Sequence, residues 1–155
     1  MSSLTGKVAI VTASSRGIGR SIALRLGKDG AAVAVNYVAS PEKAEAVVQE
    51  IIASGGRAIA IQGSVANKAD VTRLFDETEQ KLGAIDIVVN VAGSAAYKLH
   101  TDLTDEDFDK VFAVNARGAM YMLQAAANRV KDGGQIVQFS TGATMLPILT
   151  YQLFL

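Results

Sequence analysis

Apolar residues fall in two alternating rhythms along this chain. Short unbroken apolar runs recur, and between them lie longer stretches with apolar positions spaced three or four apart. The first rhythm suits strands buried on both faces, the second amphipathic helices. Residues 7–12 (KVAIVT), 32–36 (AVAVN), 58–61, 85–89 and 135–139 are expected strands. Residues 17–29 carry Ile18, Ile22, Leu24 and Leu26 as the apolar face of a helix. Ser40 and Pro41 have the residue types of an N-cap and first helical position, opening a helix with Val47, Val48, Ile51 and Ile52 that stops before Gly55. Val71, Leu74, Phe75, Thr78 and Leu82 mark a third helix, closed by Gly83. Thr104 and three acids after it open the longest helix, residues 104–130, with Phe108, Val111, Phe112, Asn115, Ala119, Met122 and Ala126 along one face.

Strands separated by helices of this length predict βαβ units and a parallel sheet. The expected fold is α/β, a doubly wound parallel sheet of Rossmann type with about five strands. One nucleotide-binding domain would fill residues 1–155 and hold its ligand at the carboxyl ends of the strands.

Composition narrows the partners. Half the residues are apolar and 19% are charged, with fifteen basic residues against fifteen acidic. That balance gives no reason to expect nucleic acid or an anionic membrane. There is no cysteine and His100 is the one histidine, which leaves no disulfide framework, zinc set or Ser-His-Asp hydrolase with a spare histidine. The first residues lack the apolar run of a signal peptide, and no apolar run approaches the roughly 20 residues of a membrane span. A cytoplasmic protein is the expectation.

The first expected strand runs into Thr12-Ala13-Ser14-Ser15-Arg16-Gly17-Ile18-Gly19. A small-residue turn opening a helix lets backbone approach a pyrophosphate, with free N–H groups and the positive helix end facing the anion. The residue ending the second strand discriminates nucleotides, because an acid there bonds the ribose 2′-OH of NAD and repels a 2′-phosphate. Here Asn36 and Tyr37 stand there, and no acid follows until Glu42. Arg16 and the hydroxyls of Ser14 and Ser15 are expected to face the same ribose. A cation with neutral donors favours NADP(H), and a carboxylate at position 36 would favour NAD(H).

Over nearly its whole length the chain resembles the classical short-chain dehydrogenase/reductases. Residues 12–19 are similar to the family's Thr-Gly-x-x-x-Gly-x-Gly, with Ala13 in place of the first glycine. Asn90-Val91-Ala92-Gly93 resembles Asn-Asn-Ala-Gly, which in the family lies along the adenine-ribose side. Ser64 and Val65 stand where members often carry Asp-Val beside the adenine. Asn115 matches the family's mid-helix asparagine, a member of the catalytic tetrad. Arg117-Gly118 and residues 131–136 look most like fungal polyketide-naphthol reductases and broad ketone reductases. The resemblance implies hydride exchange between NADP(H) and a ketone or secondary alcohol, a small-molecule carbonyl substrate, and a homo-oligomer in the full-length form.

The family's remaining signature is a serine after the fifth strand, a tyrosine thirteen residues later and a lysine four beyond that. Thr141 aligns best with the serine and Ser140 precedes it, but thirteen residues on is Phe154. Tyr151 is the one tyrosine nearby, and no lysine follows Lys131. The expectation is a chain truncated relative to the family. A non-catalytic nucleotide-binding or interaction fragment is the alternative, and a Rossmann methyltransferase a weaker one.

Overall fold

The structure is a computed structural model that describes residues 4–141. Five parallel strands form one sheet in the order β3-β2-β1-β4-β5. They are β1 (Val8–Val11), β2 (Ala32–Tyr37), β3 (Arg57–Gln62), β4 (Ile87–Asn90) and β5 (Gln135–Gln138). β1 and β2 are buried almost throughout, as their unbroken apolar runs require. β1 pairs with β2 on one side and β4 on the other, so the chain reverses direction across the sheet after β3.

Helices α1 (Gly17–Lys28) and α2 (Pro41–Ala53) cover one face. Their core joins Ala23, Val47, Val48 and Ile51 to Val11, Val33 and Val35. The other face carries α3 (Lys68–Leu82) and α5 (Ala119–Arg129), whose core joins Leu74, Phe75, Met122 and Ala126 to Ile10, Ala34 and Val88. Arg129 ties these two helices, pairing with Asp76 at 2.7 Å and Glu79 at 2.6 Å while its guanidinium lies 5.4 Å from the Phe75 ring centroid. At the amino end of the sheet, buried Asp86 accepts from the Val8 N–H at 2.9 Å and pairs with Lys7 at 3.0 Å and Lys131 at 2.8 Å. One carboxylate thus fastens β1, the approach to β4 and the turn before β5.

The doubly wound sheet and its strands stand where the apolar runs place them, within two residues at each end. Three local expectations are corrected. Ser40 occupies the N-cap position of α2 but its side chain makes no capping bond; Pro41 at the first position and Glu42 in the first turn favour the start. The long helix 104–130 runs without a break from Asp105 to Arg129, but its middle is π-helical rather than α-helical. It is α4 (Asp105–Phe112), a π-helical turn (Ala113–Gly118) and α5. Thr104 and Asp107 close a reciprocal capping box at its start, as the acid-rich opening predicts. Phe108, expected on the buried face, is 46% exposed and stacks on Phe112 at 3.9 Å. β5 has no strand on its outer side among the described residues, and all four of its residues are exposed.

Candidate nucleotide and carbonyl site

The reversal between β1 and β4 leaves a crevice where the loops after these strands diverge, the place where doubly wound sheets bind ligands. A cleft of about 790 Å³ opens there, from Arg16 and Ile18 at the start of α1, past residues 91–95 after β4, to residues 138–141 after β5, with Asn115 on its wall.

The β1–α1 turn depends on glycine at close quarters. A Cβ on Gly19 would sit 2.5 Å from the Ala13 carbonyl oxygen, so only glycine lets the first turn of α1 lie this close to the loop. Gly17 has φ +56° and faces open space. Arg16 at the N-cap contributes no side-chain cap, and no acid occupies the first turn. The opening N–H groups of α1 are therefore not taken by a side chain, and the positive helix end is not neutralised. The Arg16 side chain is exposed and makes no ion pair among the described residues. These features fit a phosphate-bearing ligand.

Behind the turn a chain of polar groups, buried at Thr12 and Asn90, holds the strand ends together. Thr12 donates to Asn90 Oδ1 at 2.6 Å, and its oxygen accepts from the N–H groups of Val91 and Ala92 at 3.0 and 3.1 Å. Asn90 Nδ2 donates to Gln138 Oε1 at 2.9 Å. Asn90 thus ties β1, β4 and β5 and fixes the backbone of Val91 and Ala92; Gly93 beyond them is exposed on the cleft wall. Thr12 and Gln138 are positioning groups that the motif reading did not assign. Both are polar residues at the carboxyl ends of their strands, and that was the available signal.

Asn115 lies inside the π-helical turn, and such turns recur at functional sites. Its amide donates to the Ser94 carbonyl and accepts from the Ser94 N–H, both at 2.8 Å. Gly118 lets this turn close on the loop after β3, since a Cβ there would meet Val65 Cγ2 at 2.8 Å. In that loop the Ser64 N–H donates to Asp70 at 3.0 Å, a bond that, with Arg73, holds the Asp70 carboxyl below its ordinary range.

Other expected site residues are placed differently. The Ser14 hydroxyl is buried, donating to the Val11 carbonyl at 2.7 Å and accepting from the Asn36 N–H at 3.0 Å, so it does not face a ribose. Asn36 is 2% exposed and its side chain is spent on Ala13, Ile61 and Gly63. Val65 is a core residue rather than an open contact. Ser15 and Tyr37 are partly exposed beside the turn, and Ser140 and Thr141 sit at the cleft mouth. Tyr151 lies outside the described residues.

Comparison with known proteins agrees with this geometry. Residues 7–153 match the family described as short chain dehydrogenase. The hydroxynaphthalene reductase-like protein Arp2 of Metarhizium robertsii is 44% identical over 141 residues, which cover 91% of this chain and 53% of that protein. The versicolorin reductase stcU of Emericella nidulans is 44% identical, covering 89% and 52%. A short chain dehydrogenase from Burkholderia cenocepacia, solved in complex with NADP, superposes with a TM-score of 0.91 at 43% identity, covering 96% of this chain and 61% of that one. The chain spans about half the length of the curated relatives it matches. On the match over residues 7–153 and the shared fold, the chain belongs to the short-chain dehydrogenase family.

Proposed function

We propose that this chain binds NADP(H) and forms the nucleotide-binding part of a reductase that exchanges hydride with a ketone or secondary alcohol. One observation carries the choice of nucleotide: the Arg16 cation, without an ion pair among the described residues, stands beside the uncapped start of α1, and no carboxylate ends β2. A guanidinium there attracts a 2′-phosphate, and no acid repels it. The NADP complex of the Burkholderia relative supports the same reading.

When bound, the dinucleotide supplies the hydride. The chain's own groups would bind and orient. The α1 terminus and Arg16 hold the phosphates. Thr141, or Ser140 beside it, offers a hydroxyl to the carbonyl oxygen at the cleft mouth, while Asn115 fixes the loop at Ser94. Tyr151 is the one candidate proton donor near Thr141, and a poor one, since no lysine stands four residues beyond it. The names of the two fungal relatives suggest a fused-ring aromatic ketone as substrate. These 155 residues hold the nucleotide-binding groups but no tyrosine–lysine pair of the family's spacing. We therefore assign binding to them and hydride transfer to a polypeptide that carries the pair. A homo-oligomer fits this reading, since Phe108, Met120 and Leu123 are exposed large apolar side chains on α4 and α5; a cytoplasmic location is part of the same proposal.

Retention on immobilised 2′,5′-ADP tests the nucleotide assignment. Elution by NADP⁺ but not by equal NAD⁺ is expected. No retention, or elution by both alike, would overturn it.

A further inference from the structure

We propose that Asn36 is the positioning residue of the phosphate turn, an amide clip that holds Ala13 in a left-handed conformation and so aims the start of α1. Ala13 has φ +50° and is the one non-glycine residue with positive φ among those described. Alanine does not hold this conformation unaided. Asn36 surrounds it. Its Oδ1 accepts from the Ala13 N–H at 3.2 Å, its carbonyl accepts from the Ser14 N–H at 2.9 Å, and its N–H donates to the Ser14 hydroxyl at 3.0 Å. Its Nδ2 anchors the clip to the end of β3, donating to the carbonyls of Ile61 at 3.3 Å and Gly63 at 2.9 Å. The amide orientation follows from these neighbours, since one side offers an N–H and the other two carbonyl oxygens. Every polar group of this buried residue is used.

The turn transmits the constraint. The Ala13 carbonyl lies against Gly19, where an added Cβ would approach it to 2.5 Å, so rotating Ala13 moves the surface on which α1 begins. A carboxylate at position 36 could still accept from Ala13. Its other oxygen would face the carbonyls of Ile61 and Gly63 with no proton between them. Asn36→Asp should therefore release the turn rather than exchange one nucleotide preference for another. Nucleotide discrimination then rests on groups that reach the surface, such as Arg16.

The affinity test rests on the nucleotide-binding reading, and a melting test does not. The full chain is compared with Asn36→Asp, Asn36→Ala, Ala13→Gly and each position-36 change combined with Ala13→Gly. Both position-36 variants should weaken NADPH and NADH by the same factor, about tenfold or more, leaving the preference unchanged. Ala13→Gly should restore most of that loss, because glycine keeps a left-handed φ without a clip. The same pairs should be non-additive in thermal midpoint. Where a position-36 variant does not melt cooperatively, recovery of a cooperative melt on adding Ala13→Gly supports the clip, and no recovery overturns it. A gain in NADH affinity with loss of NADPH in Asn36→Asp would overturn it too. If the parent binds neither nucleotide, the functional reading fails and the melting cycle alone decides the clip.

Discussion

The Asn115 side chain and the Ser94 backbone hold each other by two reciprocal hydrogen bonds, each 2.8 Å long. A helix that stayed α-helical through residue 115 would present a different face there; the π-helical turn and Gly118 aim the amide at the loop after β4. Removing it leaves two part-buried backbone groups to find other partners. Asn115→Ala should cost about 1–3 kcal/mol of stability and speed exchange of the Ser94 amide proton. Unchanged exchange at Ser94 would mean that the loop is held by something else.

Asp86 predicts a dependence on acid. Burial alone would raise its pKa, but Lys131, the Val8 N–H and Lys7 outweigh that and hold it below the ordinary 3.8. A depressed folded-state value means that its contribution is fully present above about pH 4 and is lost as pH falls through the folded pKa. Asp86→Asn should lower the thermal midpoint at neutral pH, and parent and variant should converge as pH drops below the carboxylate range. Parallel curves down to the acid limit would show that Asp86 does not carry this dependence.

Much of the fold was legible because its signals are local. Unbroken apolar runs marked β1 and β2, and Thr104 with its acids marked the start of α4. The tight turn between β1 and α1 was legible too, since Gly17 and Gly19 follow a strand. The Asn36 and Ser14 side chains were misread for a physical reason. Apart from the local Ser14–Val11 bond, their hydrogen bonds join residues 22 to 27 positions apart in the chain, and spacing along the sequence does not show which polar group a fold will bury. The π-helical turn was hidden because residues 104–130 keep a helical pattern straight through it.

Self-association is expected. The outer edge of β5 is unpaired among the described residues, and Ile136, Val137 and Phe139 beside it are exposed, as are Met120 and Leu123 on α5. Sedimentation of the 155-residue chain should show concentration-dependent association that Leu123→Glu reduces. A monodisperse monomer with a cooperative melt would count against it.

Turnover should be poor even where nucleotide binds. The residue thirteen beyond Thr141 is Phe154, and no lysine follows Lys131. Loss of a positioned general acid costs about 10²–10⁴-fold. NADPH consumption with activated diketones and naphthol-type ketones should fall at least that far below a relative that carries the tyrosine–lysine pair. A rate within about tenfold of such a relative would show that another group delivers the proton.

The most direct test of the nucleotide assignment is calorimetric titration of the parent chain and Arg16→Ala with NADPH and NADH. The parent should bind NADPH at least about tenfold more tightly, a difference of roughly 1.4 kcal/mol. Arg16→Ala should remove most of that difference by weakening NADPH while leaving NADH nearly unchanged. Equal affinities in the parent chain would contradict the assignment.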